Sequence, residues 1–443
     1  MNAPDTIFAE PPVVWHTSGD SRVPYSVYTD EALYKRELER LFYHGHWCYV
    51  GLAAEIPEHG DFKRTFIGER QVVMVRDADG SINVVENRCA HRGVVFCQKN
   101  FGNAKDFVCP YHQWNYNLKG NLIGLPFRRG VKLRDATGVK VNGGMPADFK
   151  LEDNGLTRLK VAVKGGVVFA SFDHEVEDFD SYLGAVKPWF ERAFGEGRDG
   201  RGLTVLGYSR QRIPGNWKLM QENIKDPYHP GLLHTWFVTF GLWRNDQRAE
   251  MVTDSHGRHA AMVGWRSDPG KKLTASEVTT GVTTFRENMK LQDDRVLDVV
   301  PEAWWGGING VAVDPATGPP TACMQTIFPS LVIQHNVNSI STRQIVPRGP
   351  NAFDFVWTHF GFTDDSPEMT RRRLRQANLF GPAGFVSADD GEVIELSQEG
   401  FLQNNAQNTV CELDGTGIGG APHNVTETLI RGMYHYYRKV MGL

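Results

Sequence analysis

Cysteine is scarce in this chain, with six in 443 residues, too few for a disulfide scaffold. Neither sign of charge dominates: 48 Lys and Arg face 52 Asp and Glu, for a net charge of -4. That balance excludes the basic surplus of a nucleic-acid binder and the acidic surplus of a solvating tail. No run of about 18 apolar residues occurs, so no membrane span is expected; mean hydropathy is -0.38. Residues 1–14 lack a basic stretch followed by an apolar core, so no signal peptide is expected. What is present is ordinary for a globular chain, 41% hydrophobic and 23% charged, enough for two or three domains at about 150 residues each. The expectation is a soluble, cytoplasmic protein with no nucleic-acid or membrane partner. Any clustered Cys and His then call for metal chemistry.

The pattern along the chain changes period. Thr29-Asp30-Glu31 opens a predicted helix with Leu33, Tyr34, Leu38, Leu41 and Phe42 at helical spacing. From Phe62 the period falls to two, and residues 72–75, the turn Asp79-Gly80 and residues 82–85 predict a hairpin. Short β runs continue through Phe107-Val108, Trp114-Asn115-Tyr116 and residues 165–170. Beyond a Gly-rich loop at 195–202, a helix is predicted around 217–225 and a long β stretch over 324–347. Trp304-Trp305-Gly306-Gly307 and residues 315–320 read as an irregular insertion. Ser366-Pro367-Glu368 predicts a helix N-terminus, ending before Gly381-Pro382. A tail helix from about Thr426 carries Leu429, Ile430, Met433, Tyr437 and Val440 on one face. The fold class is α+β, with an arm and helix at 1–40, a β-rich domain at 41–165 and a larger domain at 166–443.

Two constellations carry chemistry. Cys89-Ala90-His91 and Cys109-Pro110-Tyr111-His112 each offer one thiolate and one imidazole on a loop between β segments. Two such loops can hold a [2Fe-2S] centre, thiolates on one iron and imidazoles on the other, which raises its potential. Structural zinc is the competing assignment, but its paired-Cys, paired-His spacing differs. Cys97, Cys48, Cys323 and Cys411 fit no pattern and read as buried apolar residues. The second constellation is His229 and His234. Five apart, they diverge on an ideal helix, but Pro230 and Gly231 predict a break that could turn both onto one ion. Asp226 falls beside His229. A carboxylate would complete a facial triad for non-heme Fe(II). Asp390 shares a stripe with Val386, Val393 and Ile394 and is preferred over Asp389.

With both constellations, the chain resembles the large subunits of the Rieske non-heme iron aromatic-ring-hydroxylating oxygenases over nearly its whole length. The resemblance implies a Rieske [2Fe-2S] domain followed by a catalytic domain with an antiparallel sheet surrounded by helices, of helix-grip type. It places the cluster on Cys89, His91, Cys109 and His112 and mononuclear iron on His229, His234 and Asp390. Asp226 matches a bridging aspartate that joins an iron-ligating histidine to the Rieske histidine, at His112, of a neighbouring subunit, and Asn223 matches a position near the iron. Electrons would pass from His112 through Asp226 to His229. The resemblance further implies a trimer, in many relatives joined by three small β subunits, with O2 as co-substrate and electrons from NAD(P)H through a reductase and a ferredoxin. The chain itself has no dinucleotide-type Gly-x-Gly-x-x-Gly on a β-α unit.

Segments 33–42, 143–146 and 235–246 look most like the branch that hydroxylates salicylate, with anthranilate and terephthalate oxygenases next. The expected reaction is O2-dependent ring hydroxylation of an aromatic acid, giving gentisate from salicylate; cis-dihydroxylation of anthranilate, a benzoate-type acid or terephthalate is the alternative. Arg343 resembles the carboxylate-binding arginine of the terephthalate enzymes, and Asn424 stands where those carry a second basic residue. Arg371-Arg372-Arg373 reads as a solvated helix face, a subunit contact or an attractor for an acidic ferredoxin. A pure electron-transfer Rieske protein would need only the β domain, and a zinc hydrolase with a zinc finger would be colourless.

Overall fold

The alternation from Phe62 onward folds as antiparallel hairpins. In the computed structural model, Asp61–Ile67, Arg70–Arg76 and Ile82–Glu86 form a meander, and Phe101–Asn103 pairs with the outer edge of Asp61–Ile67. The structure describes residues 15, 19–135, 138–194, 202–240, 242–243, 247–265, 293–298, 300, 302 and 318–443. They divide into two compact units, Tyr49–Val176 and a larger one made of Met1–Cys48 with Glu177–Leu443. The expected border at 165 would cut a hairpin: Val167–Ser171 pairs with Lys160–Lys164, and that ladder carries the small unit on to Val176. Its core gathers Val73, Val75, Val85, Phe96, Phe107 and Tyr116, with Cys89 and Cys109 in the same cluster. The expected loop at 195–202 and the insertion at 304–320 lie outside the described residues, except for 202 and 318–320.

The larger unit is built on one antiparallel sheet. Its strands are β1 (Leu203–Ile213), β2 (Ala249–Thr253), β3 (Ala260–Gly264), β4 (Ala322–Ile327), β5 (Leu331–Asn336), β6 (Ser339–Pro347) and β7 (Phe353–Phe362), in the order β1-β7-β6-β5-β4-β3-β2. The single β stretch expected over 324–347 is therefore parts of three strands. The first reversal follows Phe328-Pro329, where proline cannot donate to a ladder, and the second turns at Val337, with φ 54°. Every residue of β5 and β6 is buried, so both faces of these strands are covered.

The helices follow their caps. Asp30 accepts from Leu33 N at 2.6 Å and starts α1 (Glu31–Glu37), which runs on as one π-helical segment, Leu38–Tyr43, that turns Leu38, Leu41, Phe42 and Tyr43 inward. Asn216 caps α2 (Trp217–Asn223) through Lys218 N. Ser366 Oγ accepts from Met369 N at the head of α3 (Pro367–Phe380). Two further helices follow, α4 (Ser387–Gln403) and α5 (Thr428–Met441). The arginine run is not a solvated face. Arg373 is buried between Glu302 and Asp365, at 2.5 and 2.7 Å, and Arg372 donates to the carbonyls of Arg295 and Asp298; Arg371 alone is exposed. Cys48, Cys323 and Cys411 are buried, and burial pushes each thiol up to about 12.

One buried ion pair ties α1, α2 and α5 together. Glu37 takes Lys218 Nζ at 2.7 Å, Tyr437 OH at 2.5 Å and Trp217 Nε1 at 2.9 Å. Removing one partner strands the other charge in the core, at a cost of about 3–5 kcal/mol, whereas replacing both with apolar groups costs far less. Lys218→Met is therefore expected to lower the thermal midpoint sharply, and Lys218→Met with Glu37→Leu to recover much of the loss. Equal midpoints for the single and double variants would contradict this account.

Candidate metal centres

In the small unit, Cys89 and Cys109 open two loops of the same design. Cys89 N donates to Val94 O and receives Gly93 N at its own carbonyl; Cys109 N donates to Trp114 O and receives Gln113 N. Gly93 and Gln113 both have positive φ, 69° and 53°, a conformation a non-glycine residue adopts only where its surroundings impose it. Both thiols are buried at 2% exposure, and the His91 and His112 rings lie 4.7 Å apart between centroids. His91 stacks on Trp114 at 4.7 Å, and its Nδ1 is buried with no hydrogen-bond partner among the described residues. Tyr116 OH stands 3.2 Å from Cys89 Sγ.

These four donors do not converge on one point. Among the described residues, only His229, His234 and Asp390 bring three metal-capable atoms within 4.8 Å of one another. A single tetrahedral zinc needs that convergence; a two-iron centre, held by a different pair at each end, does not. The Cys and His set therefore fits a [2Fe-2S] group better than zinc.

In the large unit the chain breaks where the sequence predicted it would. α2 ends at Asn223, two residues earlier than expected, and a single 3-10 turn spans His229–Gly231 before the short helix Thr235–Thr239. Asp226 Oδ1 accepts from the backbone N–H of Tyr228 and of His229, both at 3.0 Å. The turn, not a shared helix face, thus brings Asp226 to 3.6 Å from His229 Nδ1. Asp390 enters from α4, whose buried stripe includes Ser387, Asp390, Gly391 and Ile394. Its Oδ1 lies 3.1 Å from His234 Nε2 and 3.5 Å from His229 Nε2, and it accepts from Asn223 Nδ2 at 3.1 Å. Asp389 faces the other way and stands 3.2 Å from His234 Nδ1. It holds the far side of the ring, as a carboxylate behind a metal-bound imidazole does, a role sequence reasoning missed.

The charges in this cluster answer one another. Burial disfavours a protonated His229, but Asp226 and Asp390 prevail and raise it to about 10. Burial likewise opposes protonation of His234, which Asp389 and Asp390 overcome. Burial pushes Asp390 up, and the two imidazoles pull it well below the usual carboxylate range. Two neutral imidazoles and one carboxylate leave coordination positions open on an octahedral ion, the donor set suited to non-heme Fe(II), and binding it would displace the protons.

A cavity opens onto these three residues. Its walls include Asn223, Phe237, Met262, Met324, Gln334 and Arg343. Arg343 is not at a strand edge. It lies inside β6 at 2% exposure, its guanidinium carbon 3.9 Å from the Trp357 ring centroid. Its side chain makes no hydrogen bond or ion pair among the described residues. Burial draws its proton affinity down toward about 9, against the opposing charge of Asp390. Asn424 is buried ahead of α5 and does not line this cavity.

Comparison with known proteins agrees with both centres. Residues 46–135 match the Rieske [2Fe-2S] domain and residues 201–443 the ring hydroxylating alpha subunit (catalytic domain). The chain is 65% identical to the salicylate 5-hydroxylase large oxygenase component of Ralstonia sp. over 97% of its own length and 96% of the relative's. It is 40% identical to the anthranilate 1,2-dioxygenase large subunit of Burkholderia cepacia, over 96% and 95%. Its fold matches naphthalene 1,2-dioxygenase from Rhodococcus sp. with a TM-score of 0.74, covering 95% of this chain and 94% of that one at 24% identity. No helix among the described residues is long and apolar enough to cross a membrane. The chain belongs to the alpha subunits of the ring-hydroxylating oxygenases, with a Rieske domain ahead of its catalytic domain.

Proposed function

We propose that this subunit hydroxylates salicylate to gentisate. The observation that carries this reading is a desolvated arginine, Arg343, unpaired among the described residues in the cavity of the His229, His234 and Asp390 centre, in a chain 65% identical to a salicylate 5-hydroxylase component. The enzyme is an oxygenase component that works with a Rieske cluster, non-heme iron and a separate electron supply from NAD(P)H. The cluster delivers single electrons and the iron activates O2. Cys89, His91, Cys109 and His112 hold the first, and His229, His234 and Asp390 the second. Asn223 steadies Asp390, and Asp389 orients His234. Asp226 fixes the turn that presents His229 and joins the iron site to His112 of a neighbouring subunit. Arg343 binds the substrate carboxylate as a planar, charge-assisted partner. A trimer, joined or not by small β subunits, a ferredoxin as donor and a cytoplasmic location complete the proposal.

Product analysis with matched reductase and ferredoxin tests it directly. Salicylate should give gentisate with NAD(P)H and O2 consumed in step. Dihydroxylated anthranilate with no gentisate would favour the dioxygenase alternative.

Asp390→Ala should lose the mononuclear iron and keep the visible absorbance of the cluster. Asp389→Ala should keep a weaker iron site, roughly 10–100-fold down in affinity; the reverse pattern in metal analysis would exchange their roles. Asp226→Asn should retain both metals and stop turnover, and normal product formation would remove the bridge. Arg343→Leu should raise the KM for the acid roughly 10–100-fold, the worth of a charged hydrogen bond. It should leave thermal stability unchanged or higher, because it removes a buried charge that the described residues do not pair.

A further inference from the structure

Gln334 is 3% exposed, lines the same cavity, and its side-chain amide has no hydrogen-bond partner among the described residues. That amide is not among the fully enclosed unpaired atoms of the described residues, so it borders the cavity space, where a ligand can reach it. Its position relative to Arg343 follows from strand register. Gln334 on β5 is opposite Ser341 on β6, and Arg343 is opposite Val332, so the two are diagonal neighbours on one face of the sheet. Diagonal side chains in an antiparallel pair stand roughly 7–8 Å apart at the backbone, within reach of one another when they are long. Met324, opposite Gln334 on β4, and Met262, opposite Met324 on β3, continue that face as apolar surface. Asn336 also lines the cavity but is two residues farther along β5, opposite Ser339, roughly 7 Å more from Arg343 at the backbone.

We propose that Gln334 reads the group next to the carboxylate on the substrate ring, making the cavity selective for ring acids with an ortho hydroxyl or amino group. The proposal rests on the reading of Arg343 as the carboxylate's partner. With the carboxylate on Arg343, an ortho substituent points toward the diagonal neighbour. There the amide accepts from an O–H or N–H at Oε1, or donates to a phenolic oxygen from Nε2. An acid without that group leaves the amide buried and unpaired, which is how a hydrogen-bonding pocket rejects an analogue lacking the bond. Met262 and Met324 offer the ring an adaptable apolar floor.

The test is equilibrium binding by calorimetry to the iron-loaded enzyme under anaerobic conditions, with kcat/KM measured in parallel. The ligands are salicylate, anthranilate, 4-hydroxybenzoate and benzoate. Wild type should bind the two ortho acids about tenfold more tightly than the other two. Gln334→Met should bring all four within about threefold by weakening only the ortho acids, with iron content and cluster absorbance unchanged. Gln334→Leu serves as the second variant should the first fold poorly. An ortho preference that survives both substitutions, or is absent from wild type, overturns the proposal. If the preference exists and depends on Gln334 while salicylate gives no gentisate, the salicylate reading fails and this proposal stands. If Arg343→Leu leaves benzoate affinity untouched, the carboxylate assignment fails and takes this proposal with it.

Discussion

The catalytic unit depends on one oxygen atom. Asp390 Oδ1 is the point toward which His229 Nε2, His234 Nε2 and Asn223 Nδ2 all turn. Asn223 ends α2, the histidines flank the broken segment after it, and Asp390 sits in the first turn of α4. A buried carboxylate tolerates such a place only when its charge is answered, and here the answer comes from side chains more than 150 residues away in sequence. α2 has to end where it does, since a continuous helix would swing the two imidazoles apart.

The other charged group of the cavity is set up in the opposite way. Asp390 is surrounded by protein donors, whereas the Arg343 side chain makes no hydrogen bond among the described residues and lies against the rings of Trp357 and Phe355, 3.9 and 5.7 Å from their centroids. The cation–π contact offsets part of the desolvation without consuming the guanidinium's hydrogen bonds. One wall thus offers a satisfied anion cluster suited to a metal, and another an unsatisfied cation suited to an anion. A ligand bearing a carboxylate has one orientation that suits both.

Much of this was legible in the sequence because it was written locally. The Cys-x-His and Cys-x2-His spacings, the Pro230-Gly231 break and the apolar stripe around Asp390 each lie within a dozen residues, and the caps at Asp30 and Ser366 marked their helices correctly. What was not legible came from strand pairing. The stretch 324–347 reads as one strand because neither reversal carries a glycine: the first uses Phe328-Pro329-Ser330 and the second Asn336-Val337-Asn338. Its misreading hid the register that puts Arg343, Gln334 and Met324 on one face. Arg373 failed for a similar reason: its partners, Glu302 and Asp365, are set by tertiary contacts that three consecutive arginines do not reveal. The role of Asp389 escaped because, on periodicity alone, a half-exposed carboxylate next to a buried one looks like surface.

The larger unit is discontinuous, its first 48 residues separated from the rest by the whole Rieske unit. That order has a consequence for a chain emerging from the ribosome. The Rieske unit is complete once Val176 is made and can fold by itself, as domains generally do during synthesis. α1 cannot settle then, because the Glu37 carboxylate finds its ammonium only when Lys218 appears and its last hydroxyl only at Tyr437. Leu33 of α1, and Leu41 and Phe42 of the segment that continues it, therefore wait for their neighbours until the tail helix that carries Tyr437 has been made.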